Sequence, residues 1–403
     1  MKTHETIAAR FFLRIIKLWK RLLGRLQNTK IVILAFAFFF KQIARRIFVR
    51  EAMQQQVKGN LAIIVPLDYS NEAQNFNGGA KDIQSMLEQI SELGISHEVF
   101  RVPRKALHAL HSLLREQVNI FSASHILLSI PGSSGLLFLY LRFLGFSNLV
   151  FRSHNAEFLH RWEWVKCSKS IVSIFKSFKK MLFGYSSDFI VSIFSTKILS
   201  ISEKEIEVYW KVFFPWSQKK LNFFPSSSPS HIIELSKYSL LQKDKDRPRP
   251  YATIVGGFHS GTAISMADTN FVKNGFEIRK HFQTLGLRLV SVGHNTEFEF
   301  CDTNFGYVAN LMEVLSDTEV VLIPTVKGWG FKTKIGDAVT LHQSIVVTQP
   351  LYDRLGIWRR MVSPLRDWSD ISLLELKTIS LEDYDDFVLY VRHLRDKILK
   401  QIM

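Results

Sequence analysis

Short apolar runs and stretches of helical periodicity alternate along most of the chain. Residues 61–65, 97–102, 126–130, 148–152, 197–201 and 221–224 are apolar segments of strand length, and Gly, Pro, Asn or Ser bounds most of them. Between them, residues 82–93, the stretch up to about 143 and residues 203–210 repeat apolar positions every three or four residues. Ser202 stands where a helix N-cap is expected. Near-continuous apolar strands separated by amphipathic helices predict a parallel sheet covered on both faces. Residues 226–250 are polar and proline-bearing and read as a linker. A second series follows, with strands at 252–255, 287–292, 320–323 and 345–347 and a helix near 309–315. A charged helical pattern closes the chain at 381–403. The expected organisation is therefore an extension over 1–58, a first Rossmann-like α/β domain over 59–240, a second over 241–380, and a terminal helix.

Two stretches break this rhythm. Residues 1–58 carry 13 Lys or Arg against only Glu5 and Glu51, which is +11 of the chain's formal +16. Residues 10–26 interleave Phe, Leu, Ile and Trp with Arg and Lys at helical spacing, the pattern of a helix lying in a membrane interface. The apolar run 31–40 is too short to span a bilayer, which needs about 20 residues. It also lacks a signal-peptide cleavage pattern. Residues 1–58 are thus expected to hold the protein on an anionic membrane surface, at the cytoplasmic face, as a basic amphipathic extension. The second stretch, 160–196, mixes aromatics with lysines; it reads equally as a membrane-facing helix or as an insertion packed on the first domain. Nucleic-acid binding is a weaker reading of the charge, because the cations sit among Phe, Leu and Ile. Cys167 and Cys301 form neither a disulfide framework nor a metal-binding pair, which fits a reducing compartment.

Candidate chemistry lies where predicted strands end. After 320–323 the chain reads Pro-Thr-Val-Lys-Gly-Trp-Gly-Phe-Lys-Thr-Lys-Ile-Gly-Asp-Ala, a glycine loop running into a helix. Free N–H groups at such a helix start, together with Lys332 and Lys334, suit an anionic ligand such as a diphosphate. Asp337 lies one turn further and offers a carboxylate to paired hydroxyls, as on a ribose. After 148–152 come His154, Asn155 and Glu157, more hydrogen-bonding chemistry than a buried strand end requires. Gly78 and Gly79 after the first strand allow close backbone approach to a ligand. There is no Walker loop, no GxSxG elbow, no GxGxxG and no HExxH. No metal site and no cofactor are expected.

Taken in order, these segments resemble the GT-B glycosyltransferases of the family 4 type. The resemblance spans about residues 60–350 and rests on several motifs. They are Gly78-Gly79, Arg-x-His-Asn-x-Glu at 152–157, Ser-x-Ser-Glu at 200–203, Phe-Phe-Pro at 223–225, Ile-Val-Gly-Gly-Phe at 254–258 and Gly-x-Gly-x-Lys-x-Lys-x-x-Asp-Ala at 328–338. The family transfers a sugar from a nucleotide diphosphate sugar to a hydroxyl with retention, usually without a metal, between two Rossmann-like domains that face a cleft. The resemblance implies that His154, Asn155 and Glu157 line the cleft, with His154 touching the transferred sugar. It implies that Gly78, Gly79, Gly257, Gly328 and Gly330 approach the donor, that Lys332 and Lys334 neutralise the diphosphate, and that Asp337 holds the ribose. The acceptor expected is a lipid-linked or envelope glycan. Three positions depart from the family pattern: Trp329 and Asp337 replace two glutamates eight residues apart, and His342 stands where a glycine is usual. A catalytically degenerate scaffold and a nucleotide-sugar epimerase are the alternatives.

Overall fold

A computed structural model describes residues 61–67, 78–104, 108–109, 112–113, 123–130, 134–143, 145–154, 156, 158–159, 161–162, 165, 171–229, 250–256, 269–293, 297–308, 311–326 and 333–402. The expected basic extension over 1–58 lies outside them.

The first lobe is a six-stranded parallel sheet in the order β2-β1-β3-β4-β5-β6. Its strands are β1 (Leu61–Pro66), β2 (His97–Val102), β3 (His125–Leu128), β4 (Leu149–Ser153), β5 (Lys197–Ser200) and β6 (Leu221–Phe223). Every residue of β1 and β4 is buried, as continuous apolar runs require of strands covered on both faces. Helix α1 (Gly78–Glu92) lies between β1 and β2 and starts four residues before the apolar periodicity becomes legible. Helix α2 (Ser134–Phe143) follows β3 and packs against α3 (Ile171–Phe194). Gly135 permits that contact: its N–H donates to Ser187 Oγ at 2.8 Å, and a Cβ there would lie 2.7 Å from the Ser187 Cα. Ser202 caps its helix as expected, accepting from the Glu205 N–H.

The second lobe repeats the architecture in the order β12-β11-β10-β7-β8-β9, again all parallel. Its members are β7 (Tyr251–Val255), α4 (Gly275–Thr284), β8 (Arg288–Val292), β9 (Thr303–Asn304), α5 (Leu311–Ser316), β10 (Thr318–Ile323), α6 (Thr333–Thr340), β11 (Ser344–Thr348) and β12 (Ser363–Leu365). A buried 2.6 Å hydrogen bond joins the Thr253 and Thr318 hydroxyls across β7 and β10. The two Rossmann-like parallel sheets expected from the sequence are therefore both present.

The terminal helix α7 (Leu381–Ile402) serves both lobes. Tyr384, Phe387 and Val391 join the core of the second, whereas Ile398, Leu399 and Ile402 join that of the first. Gln89 of α1 donates to the Arg392 carbonyl at 3.0 Å and to Asp396, and Arg392 pairs with Glu92.

Candidate functional site

In an open parallel sheet, ligands bind beyond the carboxyl ends of the strands where the strand order reverses. In the first sheet that point falls between β1 and β3, and in the second between β7 and β10. Gly78 and Gly79 open α1 after β1, and α6 is the helix that follows β10 in the chain.

The two lobes meet there through an ion pair. Lys81, in the first turn of α1, places its Nζ 2.8 Å from each carboxylate oxygen of Asp337 on α6. The two side chains are only 8% and 5% exposed. Nearby, Ser228 Oγ lies 3.1 Å from Thr340 Oγ1, joining the chain after β6 to the same helix. Asp337, expected to hold a ribose, is thus held by a lysine of the opposite lobe. A ribose would have to take the place of Lys81.

One residue further along α1, Asp82 is fully buried and binds Arg152 of β4 through two bonds, at 2.9 Å from Nε and 2.8 Å from Nη2. Arg152 also donates to the Phe224 carbonyl at 2.5 Å. Burial alone would raise the Asp82 carboxyl, but the Arg152 guanidinium, with Arg395 nearby, holds it below its usual value. Arg152 and Arg395 each stack on the Phe224 ring, 4.7 Å from its centroid. Arg395 of α7 reaches Ser85 Oγ at 3.1 Å, and burial pulls its guanidinium down to about 10. These contacts make the charge at the strand end a structural tie between β4, α1 and α7.

His154 follows β4. Its Nε2 is 2.7 Å from Ser129 Oγ, at the end of β3, and its Nδ1 is 3.6 Å from Asp82 Oδ2. In the tautomer with its proton on Nδ1, which the Asp82 carboxylate favours, Nε2 accepts from the Ser129 hydroxyl. Burial lowers its pKa to about 4, with Arg152 and Arg104 opposing protonation and Asp82 favouring it. The ring is therefore neutral at pH 7. In this arrangement it is spent on Ser129 and Asp82, and contact with a transferred sugar requires a sugar hydroxyl to replace Ser129 at Nε2.

Lys334 and Asp337 lie on α6, half-buried and buried respectively. Asn155, Glu157, Gly257, Gly328, Gly330, Lys332 and Trp329 are outside the described residues. Sequence reasoning missed Lys81, Asp82, Ser129 and Arg395. The adjacent Lys81-Asp82 pair, directly after the Gly-Gly helix start, was the available signal. Among the described residues no group of three His, Cys, Asp or Glu could hold a metal ion, and no helix is long and apolar enough to cross a membrane.

His342 explains itself by geometry. It is the sole non-glycine residue with positive φ among the described residues, at 56°, just beyond α6. Glycine is the usual occupant of this left-handed helix-ending position. Here a histidine adopts the same backbone, and its ring packs 4.6 Å from that of Tyr384.

No protein-family model matches the chain, and no characterised protein matches it by sequence. By structure, the chain is similar to Anabaena HepE in complex with UDP and glucose, at 10% identity over 85% of this chain and 99% of that one, with a TM-score of 0.48. It is similar to a UDP-forming α,α-trehalose-phosphate synthase from Burkholderia vietnamiensis at 9% identity, over 86% and 99% of the two chains, TM-score 0.47. It is also similar to the UDP-GlcNAc 2-epimerase of Methanocaldococcus jannaschii at 8% identity, over 82% and 99%, TM-score 0.40. Likenesses this remote carry no information about the reaction.

Proposed function

We propose that the chain is a retaining glycosyltransferase that moves a sugar from a nucleotide diphosphate sugar to a hydroxyl of a lipid-linked or other envelope glycan, at the inner face of a membrane. One observation carries the reading: the ligand-binding ends of two parallel sheets belong to separate lobes that meet at Lys81 and Asp337. Two substrates, a nucleotide donor and an acceptor, each need such a strand end.

In this reading the second lobe holds the donor. The loop containing Gly328 and Gly330, the N–H groups at the start of α6, and Lys332 and Lys334 face the diphosphate. The bond between anomeric carbon and diphosphate breaks, its electron pair leaves with the phosphate oxygen, the new bond forms to the acceptor oxygen on the same face of the sugar, and the acceptor hydroxyl proton passes to the departing phosphate oxygen. Negative charge grows on the diphosphate, and stabilisation aimed at that charge is worth most. Gly78 and Gly79 let the α1 start approach the donor from the first lobe, and Gly257 does so from the second. Asp337 takes the ribose once Lys81 releases it, which frees Lys81 as a further cation for the diphosphate. His154, Asn155 and Glu157 line the acceptor side, with neutral His154 offering hydrogen bonds rather than charge. The donor roles are tested by K332A/K334A: the double variant is expected to lose nucleotide-sugar binding while melting at the wild-type temperature. Unchanged binding overturns the assignment.

A second reading, a degenerate scaffold, draws support from the same ion pair, because a buried Lys81–Asp337 bridge closes the seam without any ligand. K81M separates the two. It changes nucleotide affinity if the seam is a donor site and leaves binding absent if the seam is only structural.

A further inference from the structure

Helix α3 has two unlike halves. Its second half packs into the first lobe, with Val191 in the core, and its one acid, Asp188, is buried and accepts from Tyr209 Oη at 2.6 Å. One face of the first three turns is exposed. Val172 is 64% and Phe175 72% exposed, and Lys176, Phe178, Lys179, Lys180, Leu182 and Phe183 are also exposed. Val172, Phe175, Lys176, Lys179, Leu182 and Phe183 recur at intervals of three and four residues, so they share one helix face. Met181 and Gly184 point the other way and are buried. Solvated helix faces in a soluble protein do not normally gather two phenylalanines, a leucine and a valine, and contiguous exposed apolar surface of this kind marks an interaction site.

Charge identifies the occupant. Between Glu163 and Asp188 the sequence has five lysines and no acid. The chain's own residues 1–58, at +11, would meet like charge on this face. A second copy docked face to face would set lysines against lysines. An anionic lipid surface satisfies both components: apolar side chains enter the boundary between headgroups and acyl chains, while lysine stems lie along them and their heads reach phosphate. We propose that the first three turns of α3 dock on an anionic bilayer, with Val172, Phe175, Leu182 and Phe183 inserted and Lys176, Lys179 and Lys180 on lipid phosphates. This surface belongs to the first lobe, and it fixes which face of that lobe meets the membrane. It does not rest on the transfer reaction, because vesicle binding is read without a donor.

The test uses the full chain with phosphatidylcholine vesicles, with and without about a third phosphatidylglycerol. Hydrogen exchange in residues 171–183 is expected to slow on the anionic vesicles only. A basic residue near an anionic leaflet is worth about fivefold in partition, so K176Q/K179Q/K180Q is expected to bind about 100-fold more weakly, and F175S/F183S also more weakly. All five positions are exposed, so both variants are expected to melt at the wild-type temperature, the control that they fold. Unchanged exchange at 171–183 while residues 1–58 become protected would overturn the proposal. So would equal vesicle binding by the charge variant. Oligomers of the wild type that F175S/F183S dissolves without lipid would reassign the face to self-association.

Discussion

Replacing Lys81 by methionine isolates the contact on which the two-lobe site depends. The substitution keeps the length and apolar stem of the side chain and removes both 2.8 Å bonds to Asp337. The carboxylate then stays buried, at 5% exposure, without its cation. Breaking one side of a buried ion pair costs about 3–5 kcal/mol, and the slight exposure of both partners puts this pair near 3. In a chain of this size each kcal/mol shifts the melting temperature by about 1.2 °C, so K81M is expected to melt about 4 °C lower. D337N leaves Lys81 facing a neutral amide, and K81M/D337N removes both charges. The double variant should therefore be more stable than the sum of the single losses predicts, with a coupling of about 2 kcal/mol. Calorimetry on the four proteins measures this cycle. Repeating it in 0.5 M NaCl distinguishes a buried pair, which salt screens little, from a surface pair. Additive losses, or a deficit that vanishes in salt, would refute the buried bridge between the lobes.

Other expectations follow from the same coordinates. R152M leaves Asp82 buried without its two guanidinium bonds and should cost about 3–5 kcal/mol, with partial rescue by D82N; a loss under about 1 kcal/mol would contradict the network. His154 has a folded pKa near 4, below its unfolded value of about 6.5, so the unfolded chain binds more protons between those values. Stability contributed by its neutral form is therefore present above pH 6.5 and lost as pH falls toward 4, by about 3 kcal/mol. H154Q should flatten that part of the stability profile in pH-dependent denaturant unfolding, and an unaltered slope would show that His154 is not the titrating group. G135A pushes a methyl into the Ser187 backbone and should cost about 1–3 kcal/mol by urea unfolding, whereas a neutral effect would mean that α2 and α3 are not so closely packed. H342G supplies the residue that positive φ favours while losing the Tyr384 contact, and should stay within about 1 kcal/mol of wild type. A large loss there would give His342 a role beyond ending the helix.

The parts of the fold that were legible are those set by local burial. Strands β1, β4, β10 and β11 are buried almost throughout because helices cover both faces, and the apolar runs they contain stand out. The two-residue β9, and β12 with Pro364 at its centre, carry no such signature. The terminal helix was visible as a charged periodic stretch. Its return to the first lobe was not, because that depends on where Ile398, Leu399 and Ile402 find an open core. Gly78, Gly79 and His154 could be placed because ligand loops follow strand ends, a rule that needs only local order. Their partners could not: Lys81 and Asp337 are 256 residues apart, and Asp82 and Arg152 are 70 apart. A charged residue at a strand end reads the same whether it meets a ligand or a distant helix. Arg152 and Asp337 are thereby explained by packing in this structure, while helix α3 divides, one face of its first turns exposed and its last turns in the core.

The central claim is that the paired strand ends bind a nucleotide diphosphate sugar. The direct measurement is the melting temperature of the full chain against UDP, GDP, ADP and their sugar conjugates. A ligand that binds only the folded state at 100 times its Kd adds about 2.7 kcal/mol, or about 3 °C here. The account predicts that one nucleotide and its sugar conjugates raise the melting temperature selectively, and that K332A/K334A abolishes the shift. A folded protein that none of them stabilises would contradict it and leave the Lys81–Asp337 bridge as the seam of a scaffold.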